Sequence, residues 1–143
     1  MSKNPILTCH FQVQWEGTVL EFSEVSGLNI EVDVVEYRDG LSPEYSPSKM
    51  PGLPKYSNIV LKRGIVQGHN EFYEWINTIK LNTVVRKDLT ISLLNENHEP
   101  VMTWKVSNAW PVKLEGPVLK SYVSEAAIET LELAHEGISI ENS

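Results

Sequence analysis

Residues Asn108–Gly137 read NAWPVKLEGPVLKSYVSEAAIETLELAHEG, and the secondary structure given to this stretch decides the fold class. Taken locally, Ser124–His135 has the marks of a capped amphipathic helix. Ser124 stands as N-cap, Ala126, Ala127, Thr130, Leu131 and Ala134 share a stripe, and Gly137 offers a C-cap. As a strand, Glu129, Leu131 and Leu133 alternate with Ile128, Thr130 and Glu132, leaving apolar groups on both faces. Propensity favours the helix, but it is a weak guide that tertiary packing often overrides, and periodicity does not separate the two. The stretch interleaves apolar residues, carboxylates and prolines with no cysteine and no metal-ligand spacing. Such a text suits a surface shaped to fit another protein more than one shaped for a substrate.

Working back toward the N-terminus, period-two alternation dominates. Leu7, Cys9, Phe11, Val13 and Trp15 alternate with polar residues, and Cys9 is expected on the buried side of that strand. Glu16-Gly17 reads as a turn into a short strand, Thr18–Ser23, with Leu20 and Phe22 on one side. Ser26-Gly27 breaks the chain before a third strand, Leu28–Val34. Connections this short require antiparallel pairing, because a parallel crossover needs a dozen residues or more. Arg38–Pro54 holds four of the eight prolines and is expected to be a long irregular segment. Its Tyr45, Met50 and Leu53 suit ordering against a partner better than solvent.

Ser57–Arg63 reads as a strand ended by Gly64. Over Asn70–Lys80 the period changes: Phe72, Trp75, Ile76 and Ile79 form one helical stripe, with Asn70 as N-cap, Glu71 and Glu74 at the positive end and Lys80 at the negative end. An aromatic stripe of this kind predicts a helix lying on a sheet. Strand signals resume at Val85–Leu94 and, after a turn at Asn95–Pro100, at Val101–Ala109.

The 143 residues make one domain by size, and no apolar run reaches the roughly 18–20 residues that span a bilayer. The N-terminus lacks the continuous apolar core of a signal peptide, and a single cysteine allows no internal disulfide, which suits a reducing cytoplasm. The net charge of −7 is unevenly spread. Residues 1–45 hold eight acids against Lys3 and Arg38, residues 46–113 nine bases against five acids, and residues 114–143 six acids against Lys120. An acidic head and tail around a basic middle allow head-to-tail pairing of copies, or simply solvated faces. Without a basic patch interleaved with aromatics, nucleic-acid recognition is disfavoured.

No catalytic constellation emerges. His135-Glu136 begins like a zinc-protease motif but lacks the second histidine four positions on, and His10, His69 and His98 are scattered. Neither a nucleophile elbow nor a phosphate-cradling glycine loop occurs. These observations predict no catalytic residue, no metal and no cofactor, with a small β-barrel hydrolase as the remote enzymatic alternative.

Four segments together, FSEVSGLNIEVDVVEYRDG (22–40), PGLPKYSNIVLKRG (51–64), FYEWIN (72–77) and NAWPVKLEGPVL…AIETLELAHEG (108–137), resemble the inner tube proteins of contractile injection systems. That family includes phage tail tubes, R-type pyocins and extracellular toxin-delivery particles, and is similar to the haemolysin-coregulated protein of type VI secretion. The resemblance implies a mainly β fold, an antiparallel β-sandwich or barrel with one α-helix at about 70–80, and makes the C-terminal segment a strand. It further implies a homohexameric ring that stacks into a hollow tube, driven through a target envelope by a contractile sheath. The implied partners are the sheath, baseplate and tube-initiator or terminator proteins, and a cargo effector in the lumen. By the same resemblance, residues 38–54 form an inter-subunit, ring-stacking loop with Tyr45, Met50, Pro51 and Leu53 as its contacts. Glu31, Asp33 and Glu129 become candidates to face the lumen. A type VI effector carrier and a baseplate-proximal tube initiator are the alternatives within this resemblance.

Overall fold

A computed structural model describes residues 5–37, 40, 48–80 and 83–142. Its main body is one continuous antiparallel sheet of eight strands, in the order β2-β1-β7-β8-β9-β6-β3, with β10 also on β8. These strands are β1 (Phe11–Trp15), β2 (Thr18–Leu20), β3 (Glu24–Ser26), β6 (Ile59–Gly64), β7 (Lys87–Leu94), β8 (Pro100–Glu115), β9 (Ile128–Ala134) and β10 (Gly137–Asn142). A separate two-stranded sheet pairs β4 (Ile30–Tyr37) with β5 (Ser48–Tyr56). The sheet does not close into a barrel; it folds over on itself as a sandwich.

The fold-over happens within β8. Residues up to Ala109 pair with β7, whereas Trp110–Glu115 pair with β9. Between them Asn108 takes a positive φ of 51°, and its N–H leaves the ladder to donate to Asp88 Oδ1 at 2.9 Å. Asparagine tolerates that conformation better than most residues. Opposite it, His135 and Glu136 interrupt what would otherwise be one long strand into β9 and β10. Glu136 accepts from Asn108 Nδ2 at 2.7 Å and from Arg86 at 3.3 Å, so a polar cluster marks the corner on both strands.

The two halves bury a shared core of Val13, Trp15, Ile59, Leu61, Leu89, Ile91, Val106, Leu131 and Leu133, into which Phe72 and Trp75 also project. Those two come from helix α1, Glu71–Ile76. Trp15 lies at 4.4 Å from the Trp75 ring and stacks with Phe72 at 6.1 Å, while Trp75 Nε1 donates to Val85 O at 2.7 Å. The buried indole therefore has a partner for its one polar atom.

Several expectations are corrected here. Cys9 is exposed rather than buried, because pairing with β7 begins only at Phe11↔Leu93 and, among the described residues, no strand pairs with Leu7–Cys9. The helix stops at Ile76 instead of Lys80, since Thr78 Oγ1 and N both turn back onto Trp75 O and Ile79 N bonds Ile76 O. That tightening leaves Ile79 outside the core, and no base lies in the last helical turn. Asn70 occupies the N-cap position but makes no side-chain capping bond. Residues 48–54 belong to strand β5 and are not irregular. Pro51 and Pro54 are tolerated there because, among the described residues, β5 is paired on one side only, and the register shift opposite Asp33 absorbs an extra residue. The C-terminal segment is strand from Ile128, as the resemblance implied and against the local helix reading.

A candidate assembly surface

The β4–β5 hairpin stands apart from the sandwich. It leaves the body after Gly27, whose φ is +90° and whose missing side chain leaves room for Asn58 O; a Cβ would lie 2.1 Å from that oxygen. Only glycine fits such an approach. It returns through Ser57 and Asn58 into β6.

Cross-strand pairing sorts its side chains into two faces. Ile30, Val32 and Val34 alternate on one face of β4, opposite Tyr56, Pro54 and Pro51. All three β4 residues are exposed, Val34 to 64%. The other face carries Glu31 opposite Lys55 near the base, with Asp33 Oδ2 at 3.0 Å from Lys55 Nζ, then Val35 opposite Met50 toward the tip. Leu53, at the bulge, is 80% exposed. An isolated two-stranded hairpin is marginal in water, and a contiguous exposed apolar face of this kind marks an interaction site.

The expected contact residues Met50, Pro51 and Leu53 all lie on β5 and are exposed, but not on one face: Pro51 pairs with Val34, whereas Met50 pairs with Val35 on the face of Glu31 and Asp33. Tyr45 lies outside the described residues. Glu31 and Asp33 share the charged part of the face that also carries Val35 and Met50. Glu129 sits elsewhere, on β9, where Oε1 accepts from Arg63 Nε at 2.6 Å. Arg63 is itself buried, stacks over the Phe72 ring at 4.0 Å and reaches Glu71 on α1 at 3.1 Å. This ion triad fastens the helix to the sheet. Burial pushes the Glu71 carboxyl up, but hydrogen bonds from His69, its own backbone N–H and Arg63, with the guanidinium charge, outweigh it. The group therefore lies below its ordinary value of 4.5.

Sequence reasoning missed the strand character of residues 48–56 and with it the two-faced hairpin. The signal present was β4 itself, whose alternation of Ile30, Val32 and Val34 with Glu31 and Asp33 asked for an antiparallel partner. Neither His135 nor Glu136 is arranged for metal chemistry: the imidazole is bonded to backbone and the carboxylate to Asn108 and Arg86. Among the described residues, no group of three His, Cys, Asp or Glu side chains is placed to hold a metal, and no helix is long and apolar enough to cross a membrane.

Among the described residues the chain is a folded-over antiparallel sheet carrying one helix and a projecting hairpin. It superposes on a chain in the cryo-EM structure of the anti-feeding prophage tube terminating cap with a TM-score of 0.92. The identity is 38%, covering 100% of this chain and 95% of that one. A chain in the extended PVC sheath–tube complex, an extracellular contractile injection system, matches with a TM-score of 0.90 and 37% identity over 99% and 94% of the two chains. Hcp1 from Flavobacterium johnsoniae shares the fold, with a TM-score of 0.58 and 18% identity over 93% and 95%. No curated protein matches. The chain belongs to the T4-like virus tail tube protein gp19 family, whose model matches residues 7–139.

Proposed function

We propose that this chain is a non-enzymatic subunit of the inner tube of an extracellular contractile injection particle, assembling in the cytoplasm into hexameric rings that stack inside a sheath. The observation that carries the reading is the hairpin. Its Ile30, Val32 and Val34 face is still exposed within the described part of the subunit, and covering the remaining half of each side chain contributes on the order of 1 kcal/mol. A second copy is the natural cover, since a heterologous contact that closes generates a ring and pairs exposed sheet edges.

Met50, Pro51 and Leu53, with Tyr45, are the proposed contacts to the neighbouring subunit or ring. Glu31 and Asp33, on the charged face of the hairpin opposite Ile30, Val32 and Val34, are the proposed lumen residues. The third lumen candidate, Glu129, has its carboxylate engaged by Arg63 and adds least to an open bore. An acidic bore repels phosphate and is compatible with a protein cargo. The resemblance at 37% to a chain in a sheath–tube complex, against 22% to a chain in the anti-feeding prophage baseplate, supports the main tube over an initiator.

Expressing the chain with its sheath and baseplate and counting its copies per particle tests this reading. Hundreds of copies are expected; six would make it the initiator, and none would remove the proposal. Stable effector bound within isolated rings would favour the carrier alternative.

A further inference from the structure

The neck of the hairpin is tied to the sandwich corner by one side chain. His135 lies in the break between β9 and β10, and its Nε2 donates to the carbonyl of Ser57 at 2.9 Å, while its Nδ1 accepts from Gly137 N at 3.2 Å. These partners define a neutral imidazole protonated on Nε2. Its ring also lies 5.6 Å from that of Tyr56, the last residue of β5. On the outgoing side of the neck, Asn29 Nδ2 donates to Ser57 Oγ at 3.0 Å and Ser57 Oγ donates to Gly27 O at 3.2 Å, so both legs meet at Ser57. The next residue after His135, Glu136, is held by Asn108 and Arg86 at the bend of β8.

We propose that His135 is a positioning residue for assembly: it fixes the angle at which the hairpin leaves the body by bonding the neck at Ser57 to the corner of the folded sheet. The inference rests on the hairpin being the assembly surface. A two-stranded arm joined through two short connections pivots at its neck, and each ordered degree of freedom there reduces the entropy lost when copies dock. The Nε2 bond and the Tyr56–His135 ring contact both link the corner to the neck, beside the bond from Asn58 Nδ2 to Glu132 Oε2 at 3.0 Å lower on β9. His135 itself is not part of the central core, although Tyr56 and Leu28 on the two legs pack against its edge. Removal of the imidazole is therefore expected to loosen the arm more than the body.

The test compares full-length His135→Gln, His135→Asn and His135→Ala by hydrogen exchange and by tube assembly with sheath and baseplate. Glutamine reaches Ser57 O with its amide N–H; asparagine is too short but keeps an acceptor for Gly137 N. The expected result is at least tenfold faster exchange of amides in 28–31 and 55–58, and at least tenfold less assembled tube, for Asn and Ala, with Gln near wild type. Asn matching Gln would show that only the local turn matters and would overturn the proposal. So would Ala assembling as wild type. If Ala unfolds by circular dichroism, the Gln–Asn comparison still decides. A wild-type chain that never forms tubes would refute the tube reading instead, while neck exchange continues to report the tether.

Discussion

Arg63 shows what a single residue does in this fold. Its guanidinium sits under the helix, over Phe72 and between Glu129 and Glu71, so one buried charge is neutralised from two elements. Arg63→Ala leaves two carboxylates facing a cavity. Fully buried pairs broken in this way cost about 3–5 kcal/mol; part of both acids is wet here, so a loss of about 2–3 kcal/mol is expected in urea denaturation. Glu71 adds a pH signature. Because its folded value lies below the unfolded one, its stabilisation is present above about 4.5 and is lost as pH falls through the folded value. The stability gap between wild type and Glu71→Gln should therefore be largest near neutrality and shrink on acidification below 4.5; a gap independent of pH would contradict this. Little of the triad was legible in the sequence, because pairing of residues 63, 71 and 129 depends on the register of β6 against β9. Cys9 was misread for a related reason, since alternation indicates a buried side only where a partner strand exists. Its thiol is expected to react with a small disulfide reagent in the native subunit without denaturant.

At the scale of elements, the hairpin and the bent strand carry the account. Gly27→Ala places a methyl group against Asn58 O at a φ that side chains rarely adopt, and a loss of at least about 2 kcal/mol is expected. Val34→Asp should behave oppositely. With the side chain already largely in water, the melting temperature of the isolated subunit should move by only a few degrees, whereas tube yield should fall at least tenfold. Unchanged yield would show that this face is not buried on assembly. The strands with one wet face, β1 and β7, were readable from period two, and the helix from its aromatic stripe. β5 was not, because its prolines and glycine read locally as loop and only the one-sided pairing with β4 makes them admissible. β9 was ambiguous for a different reason: its polar side chains, Glu129 and Glu132, are consumed by Arg63 and Asn58, which no local pattern records. β10 went unread, being short and following an interruption at His135–Glu136.

For the whole molecule, the central claim is that the subunit is incomplete alone. A body with its own core projects an arm whose Ile30, Val32 and Val34 are exposed among the described residues, and the proposed cover is a further tube subunit. The acidic head, basic middle and acidic tail are compatible with such head-to-tail contacts, although exposed pairs of this kind set orientation more than affinity. The resemblance was carried by segments that include β4, most of β5 and the corner, so family and fold were readable, while individual contacts depend on register and on copies that the sequence does not record. The most direct measurement is electron microscopy of the purified full-length chain at high concentration, alone and with sheath and baseplate. Rings or stacked tubes with the hairpin of each copy buried on its neighbour are expected. A chain that stays monomeric in both conditions, with the Ile30–Val34 face still in solvent, would contradict the account.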